Sequence, residues 1–317
     1  MDQEEKQTNT ENNQPEQNRP SQSGKRFGDL KQRLITSALL AVLYVGSILL
    51  TIFVSPYFYD AFVVFMMVMA SMEFARAVSN KFAKTITGFV YATIVLGYTA
   101  FSVVHNLHGS GGITSFYGVL ALVFIACIVY NMCSKKFTIN NVISTLFVMI
   151  YPVTIMAYLL ALNYLPLREY TPIAILFAFG VTTLVDSMAY FVGSIVRGPK
   201  LCPTISPKKT ISGALGGLLG GIGGGLVIMA FANLGWFNCL PLSSNGVLNT
   251  LHFVFLGLGT AVFCQIGDLI SSYIKRACGI KDYGTLLKGH GGFMDRMDGV
   301  IISAVFIFIY FTIMAML

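Results

Sequence analysis

Nine stretches of about 20 mainly apolar residues run the length of this chain, each long enough to cross a roughly 30 Å hydrocarbon core as a helix. They fall near 34–54, 57–76, 86–104, 113–133, 141–164, 172–196, 212–233, 248–270 and 299–317. A soluble helical protein needs a polar outer face on each helix, and these segments have almost none. Of all residues, 55% are hydrophobic and only 11% charged, so polar groups are too few to build such faces. The sequence predicts an all-α, polytopic integral membrane protein with about nine transmembrane helices.

Threading the nine windows alternately through a bilayer puts 20 of the 21 Lys and Arg residues on one side, leaving only Arg168 opposite. Basic residues gather on the cytoplasmic side, so the N-terminus is predicted cytoplasmic and the C-terminus outside. One window more or fewer would scramble the pattern. The net charge of +7 is thereby assigned to membrane anchoring and phosphate ligation rather than to nucleic acid. Residues 1–30 lack an apolar run and read as a disordered polar tail without signal-peptide layout. Residues 31–317 read as a single multi-pass membrane domain whose first span is an uncleaved anchor. The six cysteines show no CxxC spacing and read as small apolar residues.

Charge is scarce enough here that its placement is informative. Asp268 to Asp298 is a polar stretch between apolar runs, holding Lys275, Arg276, Lys281, Asp282, Lys288, His290, Asp295 and Arg296. A second group, Ser206, Lys208, Lys209 and Thr210, precedes the window at 212 and offers cations and hydroxyls to phosphate oxygens. It is not a P-loop; taken alone, it reads first as two interfacial lysines flanking a membrane entry. The active site is expected in two cytoplasmic loops, 197–212 and 268–298. Carboxylates discriminate better, because orientation does not require them. A carboxylate at mid-bilayer costs about 3 kcal/mol, so Asp186 and Asp268 near span ends need a cation, water or a basic partner. Asp186, Asp268, Asp282, Asp295 and Asp298 together suit Mg²⁺, with neutralisation by nearby Lys and Arg as the alternative.

Asp295 and Asp298 share a face if helical. His290 is a general base, a phosphate donor or a turn-stabilising group. Glu73 and Arg76 read as an interfacial ion pair, and His105 and His108 as incidental surface residues. Glycines at four-residue intervals from Gly213 to Gly225 predict close helix packing, within one chain or between two.

The string Ser272-Tyr-Ile-Lys275-Arg276, then Lys281-Asp282, then Gly289-His290-Gly291-Gly292-Phe-Met-Asp295-Arg296-Met-Asp298 closely resembles the signature of the phosphatidate cytidylyltransferases, or CDP-diacylglycerol synthases. Ser206 to Thr210 (SPKKT), the Asp186/Ala189/Tyr190/Gly193 set, Gly267-Asp268 and the opening Lys31 to Leu40 extend the resemblance from about residue 30 to the end. Lys288 departs from it, standing where the family usually has proline. The resemblance implies a nucleotidyltransferase of phospholipid biosynthesis that converts CTP and phosphatidic acid to CDP-diacylglycerol and pyrophosphate. It implies Mg²⁺, admits K⁺, and is compatible with a homodimer in a bacterial plasma membrane. By analogy Asp268 and Asp295 are the main metal carboxylates, supported by Asp298. Lys275, Arg276, Lys281 and Arg296 would neutralise the pyrophosphate and the lipid phosphate, with Ser206, Lys208, Lys209 and Thr210 completing the pocket beside Asp282 and His290. Two further readings stay open: a CTP-dependent enzyme acting on an archaeol-type or polyprenol lipid, and a lipid or ion transporter.

Overall fold

The computed structural model describes residues 53–134, 138–236, 239–284 and 291–317, with Val42, Val45, Gly46, Leu49, Leu50 and Thr51 before them. The polar tail, most of the window at 34–54, Lys288 and His290 lie outside the described residues. The other eight windows are helices: α1 (Tyr57–Lys81), α2 (Thr87–His108), α3 (Gly112–Cys133), α4 (Ile139–Leu162), α5 (Arg168–Val196), α6 (Ile211–Asn233), α7 (Gly246–Ala277) and α8 (Met294–Met314). Each is long and apolar enough to span a membrane. Their outward faces are apolar too, with Leu122 and Leu219 more than 60% exposed. That inverts the soluble pattern and fits lipid as the solvent. The chain is a multi-pass, all-α membrane protein.

Side-chain bonds tie the helices together at both ends. At one end Asn141 Nδ2 donates to the Lys84 carbonyl at 2.7 Å, and the Ile86 amide donates to Thr145 Oγ1 at 2.9 Å. At the other, Asn163 Nδ2 donates to the Pro56 carbonyl at 2.9 Å, and Arg168 meets His105 Nε2 at 2.9 Å. His105 is thus not the incidental surface residue expected. It is buried, with its ring 4.5 Å from that of Tyr164. Burial and a bond to the Asp60 carboxylate raise the Tyr164 phenol above its usual pKa, so it stays a donor.

Two spans change helical pitch midway. In α4, Pro152 lies within a π-helical turn, Met149–Thr154; α5 has a second, Phe177–Val181. Proline removes a donor and crowds the preceding turn, and a π turn absorbs that locally. The expected loop 197–212 contains a small antiparallel hairpin, β1 (Lys200–Cys202) and β2 (Ser206–Thr210), with Lys200 opposite Thr210 and Cys202 opposite Ser206.

The glycines of α6 form two packing faces. Gly216, Gly220 and Gly224 lie against Val192, Met188 and Leu184 of α5. Gly221 and Gly225 lie against backbone carbonyls of Gly257 and Phe253 in α7. The close packing expected from the spacing is therefore used within one chain, and a contact between two copies would need another surface.

Candidate active site

Helix α7 has 32 residues, about 48 Å at 1.5 Å per residue, well beyond the hydrocarbon thickness. Its last turns, carrying Ser272, Lys275 and Arg276, therefore continue as helix past the expected end at 270, with Asp268 one turn before Ser272. Likewise Asp295 and Asp298 lie in the first turns of α8. The expected loop 268–298 is thus two helix ends facing each other, joined by a shorter connection. Backbone hydrogen bonds of both helices fix the carboxylates more firmly than a loop would.

A cavity of about 350 Å³ opens between α5, β2, α6 and α7. Asp186, Ala189, Tyr190 and Gly193 of α5 form one wall, Lys208, Lys209 and Thr210 the second, and Gln265 and Asp268 the third. Glycine makes the corner possible: a Cβ on Gly193 would sit 2.9 Å from Thr210 Oγ1, and one on Gly213 would sit 2.8 Å from the Ala189 carbonyl. Thr210 caps α6, accepting the Gly213 amide at 3.1 Å. Gln265 Nε2 donates to the Ala214 carbonyl at 3.1 Å and joins α7 to the same corner. On the cavity wall Lys209 pairs with Asp268, both side chains about one-third exposed or less. Ser272 Oγ donates to Asp268 at 3.5 Å.

A second cluster adjoins the first. Lys275 Nζ lies 3.0 Å from Asp295 Oδ1 and 3.5 Å from Asp298 Oδ2, so the two acids do share a helix face. Asp295 Oδ2 also accepts the amides of Tyr283 at 2.8 Å and Gly292 at 2.9 Å. The Tyr283 ring lies under Lys275, and burial raises its phenol above the usual range, so it remains a donor to the Ser271 carbonyl at 3.3 Å. The two clusters meet where α7 touches α8. Gly267 packs against the Asp298 carbonyl so closely that no Cβ would fit. Asp186, Asp268 and Asp298 lie within one another's electrostatic field, and the Cys264 thiol faces Asp186 at 3.8 Å.

This arrangement sorts the expected metal set. Asp186, Asp268 and Asp298 are near enough for each to feel the others' charge, while Asp295 is held by three donors, Lys275 and the amides of Tyr283 and Gly292. Among the described residues no three His, Cys, Asp or Glu side chains stand ready-grouped around a metal position. Hard carboxylate oxygens with few neutral donors are nonetheless the groups that suit Mg²⁺, which typically takes one or two carboxylates plus substrate phosphates. Asp268 and Asp298 offer such oxygens, each beside a lysine, Lys209 and Lys275, that balances its charge in this structure.

Other expected site residues are spread more widely. Arg276 donates to the carbonyls of Ile205 at 3.3 Å and Ile280 at 3.1 Å, bracing the hairpin against α7. Ser206 is half-buried on β2 and does not line the cavity. Lys281 and Asp282 are exposed beyond α7, also away from it. Arg296 is exposed on α8, near enough to Asp186 for its charge to be felt. Glu73 overturns the expectation of an interfacial ion pair with Arg76. Its carboxylate is buried and accepts the Met294 amide at 3.0 Å, while Arg76 is exposed. An acid inside an apolar window was the available signal; its partner, 221 residues away, was not.

Fold and site together define a polytopic helical membrane protein with a cavity lined by acidic and basic side chains at one end of its bundle. The chain belongs to the cytidylyltransferase family, whose sequence model matches residues 31–314. It is similar to the phosphatidate cytidylyltransferase of Brucella abortus, 41% identical over 143 residues covering 44% of this chain and 47% of the relative. That of Staphylococcus haemolyticus is 40% identical over 124 residues, 39% and 43% of the two chains. That of Aquifex aeolicus is 31% identical over 170 residues, 54% and 57%. The matched region spans about half the length of these relatives.

Proposed function

We propose that the protein is a phosphatidate cytidylyltransferase of bacterial phospholipid synthesis, working at the cytoplasmic face of the plasma membrane. A phosphate oxygen of phosphatidic acid attacks the α-phosphorus of CTP, the new P–O bond forms, and the bond to the bridging oxygen breaks to release pyrophosphate. The observation that carries this reading is the pairing of Lys209 with Asp268 on the wall of a cavity that Asp186 and Lys208 also line. Two anionic reactants repel each other until cations screen them, so such a site needs fixed positive charge beside metal-binding oxygens.

Asp268 and Asp298 would hold Mg²⁺, which when bound screens the triphosphate and the departing pyrophosphate. Lys208 and Lys209, both on the cavity wall, would attract phosphate oxygens. The phosphate nucleophile is already ionised near neutral pH, so no strong general base is needed. Exposed apolar side chains beside the cavity, Tyr190 and Phe191 among them, let the acyl chains stay in lipid while the headgroup reaches the ions.

Purified protein in nanodiscs containing phosphatidic acid should convert labelled CTP to CDP-diacylglycerol and pyrophosphate, stop on EDTA treatment and recover with Mg²⁺. Asp268→Asn should lower the rate by about 100-fold or more while the protein still inserts. Wild-type turnover by Asp268→Asn would overturn the assignment. Turnover with other lipid phosphates but not with phosphatidic acid would move the substrate to another lipid class.

A further inference from the structure

The buried carboxylate of Glu73 has no part in the chemistry just described, yet it touches the segment that presents two of the acids. Glu73 lies on α1, 2% exposed, in a window where a carboxylate is expensive. Its Oε2 accepts the amide of Met294, the first residue of α8, at 3.0 Å, and the Phe293 amide is directed at the same carboxylate. Helix α8 has no side-chain cap of its own, since its N-cap residue is Phe293. The amides that open a helix need acceptors, and a negative charge there is favoured by the helix dipole. Backbone packs on the other sides: a Cβ on Gly284 or on Gly292 would run into the carboxylate.

We propose that Glu73 is a positioning residue, a cap supplied from α1 that sets where α8 begins and how its first turn is rotated. One residue beyond Met294, Asp295 takes Lys275, and one turn on, Asp298 faces the same lysine. A helix start shifted by one residue turns each side chain by about 100°, which would part both acids from Lys275 and carry Asp298 away from Asp268. Glu73 thus acts on the reaction through α8 without touching substrate. This role rests on the cytidylyltransfer reading for its catalytic consequence, but not for its structural one.

The test is hydrogen–deuterium exchange and steady-state kinetics on wild type, Glu73→Ala and Glu73→Gln in nanodiscs. In Glu73→Ala, peptides covering 291–298 should exchange about 10-fold faster while α6 and α7 keep their protection. The kcat should fall about 10- to 100-fold with the KM for CTP changed less than about threefold, the loss expected of a charge-assisted hydrogen bond. Glu73→Gln keeps an acceptor oxygen and should restore the protection and most of kcat. Should Glu73→Ala fail to fold, Gly292→Ala crowds the same carboxylate and should give the same local loss. Wild-type exchange at 291–298 in Glu73→Ala would overturn the proposal, as would faster exchange spread across all helices. Local loss of protection in a protein that transfers no cytidylyl group would support the cap and count against the reaction instead.

Discussion

Lys209 and Lys275 each pair with a carboxylate of the same site, yet the surroundings make them unequal. The Lys209–Asp268 side chains are 26% and 31% exposed, whereas Lys275, Asp295 and Asp298 are 10%, 5% and 14% exposed. An exposed pair contributes roughly 0–1 kcal/mol, while removing one partner from a buried group costs about 3–5 kcal/mol because the other charge is left unpaired. Lys275→Met should therefore lower the unfolding midpoint in detergent markedly, with Lys209→Met close to wild type in stability and both impaired in CTP turnover. Equal stability of the two variants would show that Lys275 is not compensating buried acids. At this scale the sequence was readable where residues cluster along the chain: Asp295 and Asp298 three apart, Lys208 and Lys209 adjacent to Thr210. It was not readable where a side chain's task depends on a distant backbone. Arg276 goes to the carbonyls of Ile205 and Ile280, and Glu73 goes to Met294, because nothing in local spacing records which amide or carbonyl a fold leaves unsatisfied.

Helices α5, α6 and α7 frame the cavity, and their separation is set by glycine. Without a hydrophobic force between helices in lipid, close backbone approach and dispersion contacts do the holding. Gly221 and Gly257 each lie against the other's carbonyl, leaving no space for a Cβ, whereas Gly223 on the same helix meets nothing within 4 Å. Gly221→Ala should thus cost about 1–3 kcal/mol through overpacking, while Gly223→Ala should be neutral or gain roughly 0.5–1 kcal/mol from helix propensity. Thermal unfolding of the two variants in one detergent measures the difference, and equal midpoints would remove glycine spacing as the determinant. The four-residue glycine period was legible in the sequence because helix geometry alone makes it a stripe. Helix ends were less so: α7 runs seven residues past the expected end at 270 because polar residues stay helical once the helix has left the hydrocarbon. The hairpin at 200–210 was not legible in the sequence, because two short strands closed by a turn leave no periodic pattern.

At the scale of the whole molecule, asymmetry of charge between the two ends is what connects sequence to function. One end holds the paired acids, the lysines and the cavity, while the other buries Asp60 under neutral donors from Tyr98, Asn163 and Tyr164 and carries Arg168 beside His105. Basic residues are retained on the cytoplasmic side during insertion, and CTP is a charged cytosolic metabolite that does not cross lipid, so the lysine-rich end must face the cytoplasm for the proposed reaction to run. Glu169 and Lys281 are exposed near opposite ends and can report this. In a variant with all six native cysteines replaced by serine, a cysteine at Glu169 should react with a membrane-impermeant maleimide in intact cells. A cysteine at Lys281 should react only after the membrane is permeabilised. The reverse pattern would turn the cavity away from its nucleotide and rule out the reaction, whatever the geometry of Asp268 and Asp298.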